Sequence, residues 1–66
     1  MAEIDDLKAE IRKLSAKATT AKMNLHDLSE ELPINWRTIP DVAQATFDAF
    51  AALETARARL KALETA

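Results

Sequence analysis

Nine apolar residues in the first half of the chain follow one another at alternating spacings of three and four. They are Ile4, Leu7, Ile11, Leu14, Ala18, Ala21, Leu25, Leu28 and Leu32. In an α-helix this spacing places all of them along one side. The run extends over four heptads, and a seam of that regularity is typical of coiled coils and helical bundles. The first half of the chain is therefore predicted to be one long helix buried along a single stripe.

A second run of the same kind follows two prolines. Its members are Val42, Thr46, Ala49, Leu53, Ala56, Leu60 and Leu63. Pro33 ends the first helix, because proline lacks a backbone donor and clashes with the preceding turn. Pro40 suits the first turn of a new helix, for which Thr38 is the expected N-cap.

These signals define the predicted architecture. We predict helix 1 over about 3–32, a turn over 33–39 and helix 2 over about 40–64. Two helices of similar length joined by a short turn form an antiparallel hairpin. The chain 1–66 is thus expected to be one all-α domain with coiled-coil-like packing.

The position of the turn predicts which residues face each other. If the turn is centred near residue 36, Ala18 and Ala21 lie opposite Phe50 and Leu53. Small residues would then face large ones, which is what packing at native density requires.

The composition excludes several kinds of site. The chain has no cysteine and no glycine, which removes thiolate metal sites, thiol catalysis, disulfides and the common phosphate-binding loops. No run approaches the roughly 18 apolar residues of a membrane span. The first residues include Glu3, Asp5 and Asp6, unlike the basic start of a signal peptide, so we expect a cytoplasmic protein with no membrane partner.

Catalysis is not expected either. A seam filled with Leu, Ile and Ala leaves no pocket with polar groups aimed inward, and the paired carboxylates are sequence neighbours that diverge around the helix. We therefore expect no enzyme, no catalytic residue and no cofactor.

Apolar residues outside the two seams indicate self-association. A domain of 66 residues buries little apolar surface. A lone hairpin therefore buries too little to offset its loss of chain entropy, and another surface must cover its remaining apolar residues. We interpret Met23, Phe47 and Phe50 as an oligomer interface that assembles hairpins into a helical bundle. Scattered exposed apolar residues are the alternative interpretation, and Trp36 and Ile39 either join the interface or plug the end of the hairpin.

His26, the single histidine, has Glu30 one helical turn further along the same face. A His and a Glu at this spacing are weak candidates for metal ligands, because both can reach one cation but two ligands are too few. A solvated polar pair is the favoured alternative, since the spacing is common in charged helices. Asp27 points about 100° away from His26 and is expected to be solvated.

Basic residues are concentrated at the open end of the predicted hairpin. Five of them lie in the first part of helix 1, and Arg57, Arg59 and Lys61 share their end. A basic face of this kind makes an RNA-binding regulatory hairpin an alternative function. Acidic residues in the same half cancel much of the potential, and no aromatic residue is available there for base stacking. We therefore do not expect nucleic acid to be the partner.

Part of the chain resembles a known family. The residues that carry the resemblance are the segment Lys22–Pro33, Trp36, the run Ile39-Pro40-Asp41-Val42-Ala43 and the segment Thr46–Ala51. These residues are similar to those of the Rop-like small proteins encoded in nitrogen-fixation operons, also described as NifX-associated. The resemblance covers nearly the whole chain.

The resemblance implies a hairpin that oligomerises and has a non-enzymatic accessory role near nitrogenase or its iron-molybdenum cofactor pathway. By itself it transfers no RNA-binding function and no catalytic residue. Since the match is densest around His26, we expect His26, Asp27, Glu30 and Trp36 to contact a partner protein of nitrogenase assembly. Carriage of an iron-type metal by His26 and Glu30 is a further alternative.

Overall fold

A computed structural model shows two long helices connected by a tight reversal. It describes the backbone of residues 2–65 and the side chains of residues 3–65. Helix α1 spans Ala2–Glu31, a short 3-10 helix spans Trp36–Thr38, and helix α2 spans Ile39–Thr65. The two long helices pack against each other along their length. This confirms the predicted all-α antiparallel hairpin, whereas the predicted domain 1–66 also includes Met1 and Ala66, which lie outside the described residues.

The core of the hairpin is the pair of apolar seams. The most buried residues are Leu7, Ala18, Leu28, Leu53 and Ala56, and every one of them belongs to a seam. The other seam residues are half-buried, except Leu32, which lies beyond the end of α1 and is 40% exposed. Two helices can bury only one side of each other, so the molecule is a rod of 49 × 14 × 13 Å. None of the described helices has a stretch long and apolar enough to cross a membrane.

The reversal is built from successive hydrogen-bonded turns. The amide of Ile34 donates to the carbonyl of Glu31, that of Trp36 to Pro33, and that of Thr38 to Asn35. Asn35 has φ 61° and ψ 23°, the left-handed conformation that asparagine tolerates better than most residues. The chain direction therefore changes within a few residues.

The prediction that Thr38 is the N-cap of helix 2 was wrong. It lies inside the 3-10 helix, which runs directly into α2, and an N-cap requires a non-helical backbone. Its hydroxyl donates to the carbonyl of Asn35 at 2.7 Å and so closes the 3-10 turn.

The predicted register of the two helices was also wrong. The hydroxyl of Thr46 lies 3.3 Å from the carbonyl of Ala21, so Ala21 faces Thr46 and not Phe50, which is 43% exposed. The reason is that residues 36–38 are already helical and belong to the second arm, which moves the reversal toward Pro33 and Ile34.

Candidate functional site

The first candidate surface is the side of α1 that faces away from α2. Met23 lies about 160° around the helix from the seam residues Ala21 and Leu25. His26 and Glu30 follow it at spacings of three and four, so they share its side of α1. We call Met23, His26, Asp27 and Glu30 the α1 outer face.

His26 lies between two carboxylates on this face. Its Nε2 is 3.3 Å from Oε1 of Glu30, and its Nδ1 is 3.7 Å from Oδ1 of Asp27. The three side chains are 65–69% exposed. The contact with Glu30 is the one that the spacing predicted. The contact with Asp27 was not expected, because it depends on side-chain rotamers that bring neighbouring residues together despite the 100° between their positions.

This arrangement places three polar side chains together on the α1 outer face. An imidazole flanked by two carboxylates presents hydrogen-bonding groups side by side at the surface, and nothing in the hairpin seam requires them. No group of three or more His, Asp or Glu side chains in residues 3–65 has the arrangement of a metal site. A metal carried by His26 and Glu30 would therefore need ligands from another molecule.

The second candidate surface is the end of the hairpin. Trp36 is 56% exposed and Ile39 is 38% exposed, so neither is buried as a plug of the core. The guanidinium of Arg37 lies over the indole of Trp36, 5.4 Å from the ring centroid. This is a cation–π contact at the surface, and no pattern in the sequence predicts it.

The predicted interface residues are exposed but do not share one side of the molecule. Met23, Phe47 and Phe50 are 59%, 69% and 43% exposed. Met23 points away from α2, whereas Phe47 lies about 150° around α2 from the mean direction of its seam and points away from α1. Self-association remains a prediction, but one flat face cannot contain both Met23 and Phe47.

Exposed apolar side chains and most basic side chains lie in different parts of the rod. The large apolar side chains that are exposed in residues 3–65 are Met23, Leu32, Ile34, Trp36, Ile39, Phe47 and Phe50, all in the half that contains the reversal. Seven of the nine Lys and Arg residues lie outside residues 18–51, and Lys22 and Arg37 are the exceptions. The apolar half is the one suited to protein contacts.

Two open grooves between the helices were compared with the requirements of a catalytic site. One groove near the open end is lined by Glu3, Asp6, Glu10, Arg59 and seam residues. Another, near Asn24 and Asp41, is shallow and open. Neither brings together a nucleophile and a base, so no catalytic arrangement emerges from these residues.

Comparison with known proteins gives consistent results. The sequence profile of a family described as Rop-like matches residues 2–65. A UPF0437 protein of Azorhizobium caulinodans is 62% identical over 64 residues, which cover 97% of this chain and 93% of that protein. A UPF0437 protein of Sinorhizobium fredii is 48% identical over 64 residues, which cover 97% of this chain and 96% of its own length.

A third relative carries genomic information in its name. The "UPF0437 protein in nifX-nifW intergenic region" of Frankia alni is 56% identical over 41 residues, which cover 62% of this chain and 50% of that protein. No solved structure matches this chain.

Proposed function

The chain belongs to the Rop-like family, and from this premise we propose that it is a non-enzymatic accessory protein of nitrogen fixation that acts in the cytoplasm. It binds a protein involved in assembling or protecting nitrogenase or its iron-molybdenum cofactor. The α1 outer face is the contact surface, together with Trp36 at the end of the hairpin. The name of the Frankia relative, which places its gene between nifX and nifW, supports the link with nitrogen fixation.

One observation carries the choice of surface. His26, Asp27 and Glu30 form a cluster with contacts of 3.3 and 3.7 Å on a side of α1 that the hairpin does not use. Exposed ion pairs contribute little to stability, so the fold gives no reason to arrange these groups. A partner protein that donates hydrogen bonds to the carboxylates and accepts one from the imidazole would give such a reason.

The apolar neighbours of the cluster supply the rest of the surface. Met23 continues the same side of α1 by one turn, and its flexible thioether adapts to different contact shapes. Trp36 presents an aromatic ring of the kind that is enriched at interface centres. A charged cluster beside apolar contacts is the usual composition of a specific, non-obligate interface.

The experiment is a comparison of tagged proteins purified from the native host grown on dinitrogen and on ammonium. We expect nitrogenase or cofactor-assembly proteins to be recovered with the wild type only under fixing conditions. The double variant His26→Ala/Glu30→Gln should lose at least about tenfold of this recovery, because it removes charged contacts at an interface.

A matched control separates this effect from a general change of charge. Glu54→Gln removes one exposed carboxylate on α2, outside the α1 outer face, and should leave recovery unchanged. Equal recovery by wild type and double variant would reject the proposed surface. Recovery of RNA, or of unrelated proteins in both growth conditions, would reject the proposed role and favour the basic open half as the functional region.

A further inference from the structure

The 3-10 helix and the start of α2 form a concavity at the surface, which we call the turn concavity. It has a volume of about 350 Å³ and is lined by Trp36, Arg37, Ile39 and Pro40. All four residues are exposed, and its walls are almost entirely carbon. The hairpin seams contain none of these residues, so the packing of the two long helices does not fill the concavity.

The polar side-chain groups around the turn concavity are hydrogen-bond donors. Arg37 contributes its guanidinium and Trp36 its indole N–H, and neither side chain can accept a hydrogen bond. Within residues 3–65, neither of them donates to another residue, and the ion pairs involve His26 alone. A ligand that matches these donors supplies acceptors, and a carboxylate supplies two on one rigid group.

The other donors of the turn are already used by the turn itself. The amide and the hydroxyl of Thr38 both donate to the carbonyl of Asn35. The amide of Ile39 donates to the carbonyl of Trp36, and Pro40 has no amide hydrogen. An anion at the turn concavity therefore depends on the two side-chain donors.

Asp41 does not neutralise Arg37, although it follows Arg37 by four residues. Side chains at this spacing come close together on a helix, but these two form no ion pair. Asp41 lines a different groove, with Asn24 and Val42, and lies in the first turn of α2, where the helix dipole stabilises a negative charge. The positive charge of Arg37 is thus free to meet a carboxylate from another molecule.

We propose that the turn concavity binds a short segment of the partner protein in which an apolar side chain stands next to an aspartate or a glutamate. The apolar side chain packs against Trp36 and Ile39, and the carboxylate accepts hydrogen bonds from Arg37. The guanidinium already lies 5.4 Å from the centroid of the indole ring, and this contact orients it before the ligand arrives. The inference rests on the proposed function, because it names the chemistry of the partner that Trp36 contacts.

The open shape of the turn concavity favours a protein segment over a free small molecule. Small-molecule sites enclose most of the surface of their ligand, whereas four residues around one turn cover only one side of it. A segment of a protein is also held by contacts elsewhere, here by those to the α1 outer face. Such a partner presents basic groups to Asp27 and Glu30 and an acidic group to Arg37, and this pattern of opposite charges fixes its orientation.

The test uses Trp36 as the reporter, because it is the single tryptophan of the chain. Its indole N–H gives one cross-peak in a nitrogen–proton correlation spectrum of the purified protein. The probes are acetyl-Phe-Glu-amide and acetyl-Phe-Gln-amide, which have the same shape and differ in charge. We expect the glutamate peptide to move the cross-peak saturably at millimolar concentration. The glutamine peptide should bind at least about fivefold more weakly, because a charged hydrogen bond is lost.

Two variants identify the group that recognises the carboxylate. Arg37→Gln should bind both peptides equally. Arg59→Gln makes the same change of charge at an exposed residue of α2 far from the turn, and it should keep the preference of the wild type for the glutamate peptide.

Three results would overturn the proposal. The first is a cross-peak that neither peptide moves, and the second is equal binding of the two peptides by the wild type or a preference that survives in Arg37→Gln. The third is a cross-peak that moves on dilution without peptide, because a second copy of the chain would then occupy the concavity. These measurements use the purified chain and defined peptides, so their outcome is separate from the recovery of nitrogenase proteins, which tests the proposed function.

Discussion

The hydroxyl of Thr46 in α2 lies 3.3 Å from the backbone carbonyl of Ala21 in α1, and it also donates to the carbonyl of Val42 at 2.8 Å. Thr46 is the polar member of an otherwise apolar seam. The shorter bond, within its own helix, is the stronger of the two. The contact between Thr46 and Ala21 therefore shows the register of the two helices but contributes little to the stability of the hairpin.

Thr46→Val tests this interpretation. The substitution keeps the shape of the side chain and adds apolar area to the seam, while both carbonyls keep their helical hydrogen bonds. We expect the melting temperature to stay the same or to rise by a few degrees, which corresponds to about 0.5–1 kcal/mol in a domain of this size. A fall of more than about 5 °C in a thermal unfolding experiment would show that the interhelical bond is a major term.

Ala18 is the most buried residue of the hairpin, at 1% exposure. Ala18→Leu should destabilise the protein by about 1–3 kcal/mol, because three added carbons have no space between the two helices. Ala16→Leu is the control, since Ala16 is exposed on the same helix and tolerates the larger side chain. Urea unfolding at one fixed protein concentration should separate the two variants, and equal stabilities would mean that the helices spread apart easily at this point.

The seams could be predicted because burial along a helix follows a period that the sequence displays directly. Leu7, Leu28 and Leu53 occur where the spacing of three and four places them, and all are buried. The register could not be predicted in the same way. It depends on whether residues 36–38 belong to the turn or to the second arm, and the left-handed conformation of Asn35 decides that point.

The candidate site was predictable only in part. The i, i+4 spacing identifies the contact of His26 with Glu30, because helix geometry alone brings these positions together. The contact of His26 with Asp27 and the stacking of Arg37 on Trp36 depend on rotamers, which a residue pattern does not contain. Phe47 and Phe50 lie outside the seam in the sequence pattern and are exposed, but the separation of Phe47 from Met23 became clear only once the seams fixed the rotation of each helix.

His26→Ala should leave the fold unchanged. The imidazole and both carboxylates are 65–69% exposed, so solvent limits the contribution of these contacts to stability to at most about 0.5 kcal/mol. Far-ultraviolet circular dichroism should give the same helicity as the wild type, and the melting temperature should move by no more than about 3 °C. A larger loss of thermal stability, with partner binding retained, would mean that His26 has a structural role and that the contact surface lies elsewhere.

Metal ions should not stabilise the isolated chain. His26 and Glu30 offer two ligands, and a solvent-exposed pair binds Zn²⁺ or Fe²⁺ too weakly for 100 μM of the free ion to add more than about 0.1 kcal/mol. Unfolding curves measured with each ion and with a chelator should therefore coincide. An increase in stability that disappears in His26→Ala would instead support metal carriage, with ligands shared between two copies of the chain.

Replacing each of two asparagines by alanine should change the stability of the protein in opposite directions. Asn35 has φ 61°, where an alanine side chain is strained, so Asn35→Ala should destabilise the protein by about 1 kcal/mol and Asn35→Gly should be neutral or stabilising. Asn24 lies inside α1 and is exposed, so Asn24→Ala should stabilise the protein by about 0.5 kcal/mol through helix propensity. Urea unfolding of the three variants at equal concentration measures these differences. If Asn35→Ala were as stable as Asn24→Ala, the left-handed residue would not hold the reversal, and the position of the turn would have to come from the packing of the seams alone.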